Sequence, residues 1–146
     1  MPKAIESLLN QQFEDWELIV VDDGSSDNTK DVLEGFNDPR IQYVYQENAE
    51  RSAARNNGIG LAKGQYIGFL DSDDQFQEIH LQGLYQAILK ETSTEFIYVI
   101  NGFAINEASG TRSKLHLKLG ESELETVLLN SITPGQFVVP AAIMKA

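Results

Sequence analysis

Apolar positions in this chain repeat with two alternating periods. Ile5, Leu8 and Leu9 recur at i, i+3 and i+4 behind Pro2, which predicts a short amphipathic helix with proline in its first turn. Glu17 to Val21 is instead a continuous apolar run, the signature of a strand covered on both faces in a parallel sheet. It ends in Asp22-Asp23-Gly24-Ser25-Ser26-Asp27, where Ser26 or Asp27 is expected to cap a second helix facing inward through Val32, Leu33 and Phe36. Asp38-Pro39 predicts a turn before a strand over Ile41 to Tyr45. A third helix, Ser52 to Ala62, is lined by the small residues Ala54, Gly58 and Ala62, so it can lie close on a sheet. Gly64 is expected to close it as a left-handed cap.

The strand that follows, Gln65 to Leu70, runs straight into Asp71-Ser72-Asp73-Asp74. Three carboxylates at a strand end repel one another unless a cation joins them, so a divalent metal site is expected there. Downstream, Leu81, Leu84, Tyr85 and Ile88 mark a helix, Glu95 to Ile100 a strand, Asn106 to Gly110 a turn and Arg112 to Leu119 a returning strand. A short helix near Leu124 leads to a final apolar segment. Alternating helices and strands imply right-handed crossovers and a mostly parallel sheet with helices on both faces. Such sheets bind ligands at the carboxyl ends of their strands, so both acidic clusters should face one crevice.

Composition narrows the partners. Eleven basic against 22 acidic residues give a formal net charge of −11, which leaves no basic stripe for nucleic acid. An anionic ligand must therefore be held through a cation. Cysteine is absent, so thiol nucleophiles and zinc knuckles are excluded. No apolar run approaches the roughly 20 residues that span a bilayer, and the expectation is a soluble, cytoplasmic α/β domain. The chain opens directly on a helical pattern and stops within the apolar segment Phe137 to Ala146, so a fragment is expected.

Several familiar sites do not fit. An EF-hand loop from Asp71 wants Gly and Glu where Phe76 and Gln82 stand. Gly58-Ile59-Gly60 lacks both the preceding strand and the correctly placed third glycine of a dinucleotide fingerprint. His80 and His116 are isolated and expected at the surface. Arg51 suits a solvated helix face, whereas Arg55, one turn on, is placed to reach a nucleotide or its phosphates. A phosphoacceptor receiver domain would need a lysine at a later strand end, where Asn101-Gly102 stands. A sugar-1-phosphate nucleotidylyltransferase would need a Gly-rich basic loop near the N-terminus.

Taken together, Ile5 to Phe13, Trp16 to Thr29, Ala54 to Ile59, Ala62-Lys63-Gly64 and Tyr66 to Asp74 resemble, in order, the motifs of family 2 glycosyltransferases of the GT-A fold. That resemblance implies a single partial domain over 1–146, with a nucleotide-sugar-binding half at 1–90 and the start of an acceptor-side half at 91–146. It implies a nucleotide-diphospho-sugar donor, most often a uridine one, and an inverting transfer of the sugar to an acceptor hydroxyl. Asp22 or Asp23 would contact the base, Arg55 would line the nucleotide pocket, and Asp71-Ser72-Asp73 would be the Asp-x-Asp element. In it Asp71 faces ribose or metal, and Asp73 binds Mg²⁺ or Mn²⁺ bridging the diphosphate. Asp74 is expected to start a helix.

The family's first strand and its acidic base motif have no counterpart here, so the general base is expected beyond Ala146. Glu107, Glu121, Glu123 and Glu125 are poor matches for it. A missing strand would leave an open sheet edge, and with it a homodimer or swapped assembly is expected. A non-catalytic nucleotide-sugar-binding module is the alternative reading.

Overall fold

The computed structural model describes residues 1–90, 98–99, 103–105, 112–114 and 137–145. The expected turn at 106–110, the helix near Leu124, His116 and the downstream glutamates lie outside the described residues.

Helix α1 (Pro2–Leu9) has proline in its first turn and buries Ala4, Ile5, Ser7 and Leu8. Two polar side chains on or next to this face stitch it to the segment that follows the acidic tip. Gln11 is only 8% exposed; its Nε2 donates to the carbonyls of Ser7 and Gln77, and its Oε1 accepts from Leu81 N–H. Ser7 Oγ accepts from Phe76 N–H and donates to the Ala4 carbonyl. Buried polar groups are tolerated when paired in this way.

Strand β1 (Leu18–Asp23) and strand β2 (Ile41–Gln46) pair in parallel, from Leu18 opposite Ile41 to Asp23 opposite Gln46. The crossover carries α2 (Thr29–Glu34), in which Leu33 is the buried residue. Its N-cap is Asn28 rather than Ser26 or Asp27, and Asn28 makes no side-chain cap. Asp27 still covers the first turn from outside, accepting from Thr29 N–H at 3.0 Å.

At the entry to β2, Arg40 donates through Nε and Nη2 to the two oxygens of Asp38, at 3.0 and 2.7 Å. Its guanidinium also lies 3.8 Å from the Trp16 ring centroid. The hydrogen bonds from Arg40 hold the Asp38 carboxyl down at about 2. A depressed acid stabilises the fold above its unfolded value near 4 and loses that contribution as pH falls towards 2. The gap in melting temperature between wild type and Asp38→Asn is therefore expected to be constant above pH 5 and to close between about pH 4 and pH 2. A gap unchanged at pH 2 would assign the effect of the substitution to something other than this ion pair.

Helix α3 (Glu50–Leu61) packs on β1, and a Cβ on Gly58 would sit 3.4 Å from Val21 Cγ2, ordinary contact that leaves little room for anything larger. Gly64 does not adopt the expected left-handed cap. The helix leaves through an extended Ala62 (ψ 136°), and Glu17 Oε1 accepts from Lys63 N–H and Gly64 N–H at 2.6 and 2.8 Å. A carboxylate from the residue before β1 thus does the work predicted for a glycine. At the other end, Glu50 is held at φ 71°, a left-handed conformation that costs an L-residue about 1–2 kcal/mol. Glu50→Gly is expected to raise the melting temperature by about 2–3 °C, some of the relief being offset by the freer unfolded chain. Differential scanning calorimetry reads this directly.

Strand β3 (Tyr66–Gly68) is shorter than the apolar run predicts, and Phe69 and Leu70 continue it outside the ladder. Helix α4 (His80–Ile88) follows the tip. Strands β4 (Tyr98–Val99), β5 (Phe103–Ile105), β6 (Arg112–Lys114) and β7 (Phe137–Pro140), then helix α5 (Ala141–Met144), complete the described elements. β7 inserts antiparallel between β3 and β4, so those two run parallel to each other. β5 and β6 form an antiparallel pair. Among the described residues no ladder joins β1 to β3; α3 and the Glu17 carboxylate span the interval.

Candidate functional site

Both acidic clusters lie where the strands stop, and α3 reaches each of them. At the end of β1, strand alternation sends Asp22 and Asp23 to opposite faces. Asp22 turns inward and is 5% exposed. Its Oδ1 accepts from Ser25 N–H at 2.8 Å and its Oδ2 from the Tyr43 hydroxyl at 2.7 Å. Burial works against its charge, but the bonds from Ser25 and Tyr43 outweigh it and leave the carboxyl below its ordinary value. The same contact pushes the Tyr43 hydroxyl up to about 12. Asp22 therefore helps to shape the turn, with one bond on each oxygen.

Asp23 is oriented by other partners. Its Oδ1 accepts from Gln46 Nε2 at 2.7 Å and from Ala49 N–H at 2.9 Å. Gln46 in turn accepts from Asn57 Nδ2 of α3 at 2.8 Å. Between the two carboxylates and the loop after β2, Gly24 at φ 79° brings the backbone against Asn48, whose nitrogen would lie 2.9 Å from a Cβ. The β1–α2 turn and the β2–α3 loop therefore interlock around a single left-handed glycine.

At the second cluster, Arg55 Nη2 of α3 meets Asp71 Oδ1 at 3.3 Å, with its guanidinium 5.7 Å from the Phe69 ring centroid. Arg51, one turn earlier, is exposed, as its pattern predicts. Asp71 to Asp74 form a tight turn closed by Asp74 N–H donating to the Asp71 carbonyl at 3.0 Å. Asp74 therefore starts no helix; α4 begins six residues later, because the turn is followed by an irregular segment pinned to α1 through Ser7 and Gln11. Desolvation first, then the neighbouring Asp73 and Asp71 charges, push the Asp74 carboxyl up. That crowding is what a cation would relieve.

Asp71 and Asp73 supply hard oxygen donors on one turn, with Asp73 exposed. Among the described residues no group of three or more carboxylate, imidazole or thiol side chains forms a protein cage for a metal. Mg²⁺ characteristically uses one or two carboxylates and completes its shell with substrate phosphates and water, so the tip fits that type of site. A cleft of about 490 Å³ lies beside α1, lined by Lys3, Glu6, Phe76 and others but by none of the tip carboxylates.

His80 departs from its expected surface position. It is half-buried, stacked on Phe76 at 4.1 Å, and its Nε2 is enclosed without a hydrogen-bond partner. Burial pushes its pKa down. Tyr43, Gln46 and Asn57 were the site residues that pattern reading passed over. Only the pairing of β1 with β2, and the lie of α3 across them, brings these side chains to the acidic pair.

Comparison with known proteins places this geometry in a family. Residues 1–144 match glycosyl transferase family 2. The chain is 37% identical over 130 residues to "Glycosyltransferase GlyA" of Streptococcus pneumoniae, covering 88% of this chain and 18% of that protein. It is 36% identical over 118 residues to the GalNAc(5)-diNAcBac-PP-undecaprenol beta-1,3-glucosyltransferase of Campylobacter jejuni, covering 78% and 37% respectively. It is also 36% identical over 111 residues to the putative teichuronic acid biosynthesis glycosyltransferase TuaG of Bacillus subtilis, covering 74% and 43%. The chain belongs to glycosyl transferase family 2, and its α/β architecture is of the GT-A type. It spans less than half the length of each of these relatives.

Proposed function

We propose that the chain is the donor-binding part of a glycosyltransferase that moves a sugar from a nucleotide diphosphate, a uridine one, to an acceptor hydroxyl. The observation that carries this reading is α3, which bonds to the Asp71 tip through Arg55 and to Asp23 through Asn57 and Gln46. One helix thereby links the two acidic clusters. Asp23 makes the contact to the base, and Asp22, with both oxygens engaged, shapes the turn beneath it. Asp73 first and Asp71 second would hold Mg²⁺ or Mn²⁺, and Arg55 supports Asp71. The ion supplies neutralisation of the phosphate charge and Lewis-acid assistance to the departing nucleoside diphosphate. The protein's part is to orient the donor for displacement by an acceptor oxygen whose proton passes to a general base.

The proposal extends to polysaccharide biosynthesis, supported by the teichuronic acid and undecaprenol-linked names of two relatives, with the cytoplasmic face of a membrane as its place of action. Among the described residues no helix is long and apolar enough to cross a membrane. Calorimetric titration with UDP and UDP-sugars tests the reading: binding is expected with Mn²⁺ and largely lost without it. Equal binding with and without the ion removes the metal from the proposal, and no binding in either case removes the donor.

A further inference from the structure

The relay that ends on Asp23 has a fixed direction. A carboxylate oxygen can only accept, so Gln46 must turn its NH₂ towards Asp23 and its carbonyl towards Asn57. Asn57 must then present its own NH₂. Reversing either amide would set oxygen against oxygen. The Ala49 N–H supplies a second donor to the same Oδ1. Asp23 Oδ1 is thus occupied twice, while Oδ2 takes no hydrogen bond among the described residues. Both oxygens of neighbouring Asp22 are engaged. Asp22 is closed off by burial, at 5% exposed, so among the described residues the carboxylate oxygen open to a ligand at this strand end is Asp23 Oδ2, oriented by Gln46 of β2 and, through it, by Asn57 of α3.

From this we infer that Gln46 and Asn57 are positioning residues that set base selectivity, by aiming Asp23 Oδ2 as an acceptor at a ring N–H. Uracil carries a hydrogen on N3 and is accepted. Cytosine carries a lone pair there and is refused, because two acceptors would face each other. A site built around one obligatory hydrogen bond discriminates strongly against an analogue that cannot make it. The inference rests on the nucleotide reading given above and extends it to residues outside the acidic clusters. Asn57 is half-buried on α3, the helix whose Arg55 reaches the second cluster, and its Nδ2 donates to Gln46.

The test titrates the chain with UDP and with CDP in Mn²⁺. Wild type is expected to prefer UDP by at least about tenfold. In Gln46→Leu, UDP binding is expected to weaken about tenfold with CDP unchanged, so that the ratio falls towards one. Asn57→Ala is expected to move the ratio in the same direction by a smaller factor. It carries the test if thermal scans show that Gln46→Leu does not fold. Equal weakening of both nucleotides would mark Gln46 and Asn57 as structural only and overturn the inference. So would an unchanged ratio, or a wild type indifferent to the base. A wild type that binds neither nucleotide would instead overturn the nucleotide reading, and this inference with it.

Discussion

Asp73→Ala is expected to abolish Mn²⁺-dependent UDP binding, weakening it by at least about 100-fold while leaving the melting temperature within about 2 °C of wild type. Asp73 stands exposed on the turn, and no packing depends on it. The whole chain carries a net charge of −11, so a diphosphate approaching a metal-free tip meets repulsion from Asp71, Asp73 and Asp74. On the proposed reading, Asp73→Ala would remove one of two carboxylate ligands, and a lost ion would expose the diphosphate to the remaining charges. Asp74→Ala is the matched control: it removes the same charge from the same turn and is expected to cost far less binding. Metal-dependent UDP binding indifferent to Asp73 would sink the assignment of that residue.

The second large effect is on stability. Gly24→Ala places a Cβ 2.9 Å from the backbone nitrogen of Asn48 and 3.1 Å from its Cβ, at φ 79°. The left-handed conformation alone costs about 1–2 kcal/mol for an L-residue, and the clash is with backbone that cannot swing aside. A total of about 2–4 kcal/mol is expected, lowering the melting temperature by about 5–10 °C. Because Ala49 N–H, next along the displaced loop, is one of the two donors to Asp23 Oδ1, UDP binding should fall with it. A variant with wild-type stability would show that the loop after β2 can retreat without loss.

Much of this arrangement is visible in the chain because it is local. The apolar runs at Leu18 to Val21 and Ile41 to Tyr45 became the parallel pair, and the small residues of α3 foretold its close approach to β1. The acidic clusters could be placed at strand ends because each directly follows an apolar run. What stayed hidden depends on partners far along the chain. Gln11 meets Leu81, 70 residues away, and Glu17 caps a turn 46 residues on. No local pattern announces such contacts, so the sequence points to Gly64 for a cap that a carboxylate supplies. The insertion of β7 between β3 and β4 is of the same kind, since strand pairing across a sheet leaves no periodic trace in either partner. His80 looked like a surface residue because nothing nearby in sequence suggests a half-buried stack on Phe76. Asp22 and Asp23, adjacent and identical in type, are told apart by the partners that the fold brings to each, Tyr43 to one and Gln46 to the other.

The two arms of α3 have a mechanical consequence. Arg55 and Asn57 leave the same rigid cylinder two residues apart, one towards Asp71 and the other through Gln46 towards Asp23. Asp23 is itself the last residue of β1, the strand on which α3 packs, so a shift of the helix along that strand would strain both side-chain arms at once. The helix is a brace between the two acidic strand ends, not a hinge between them.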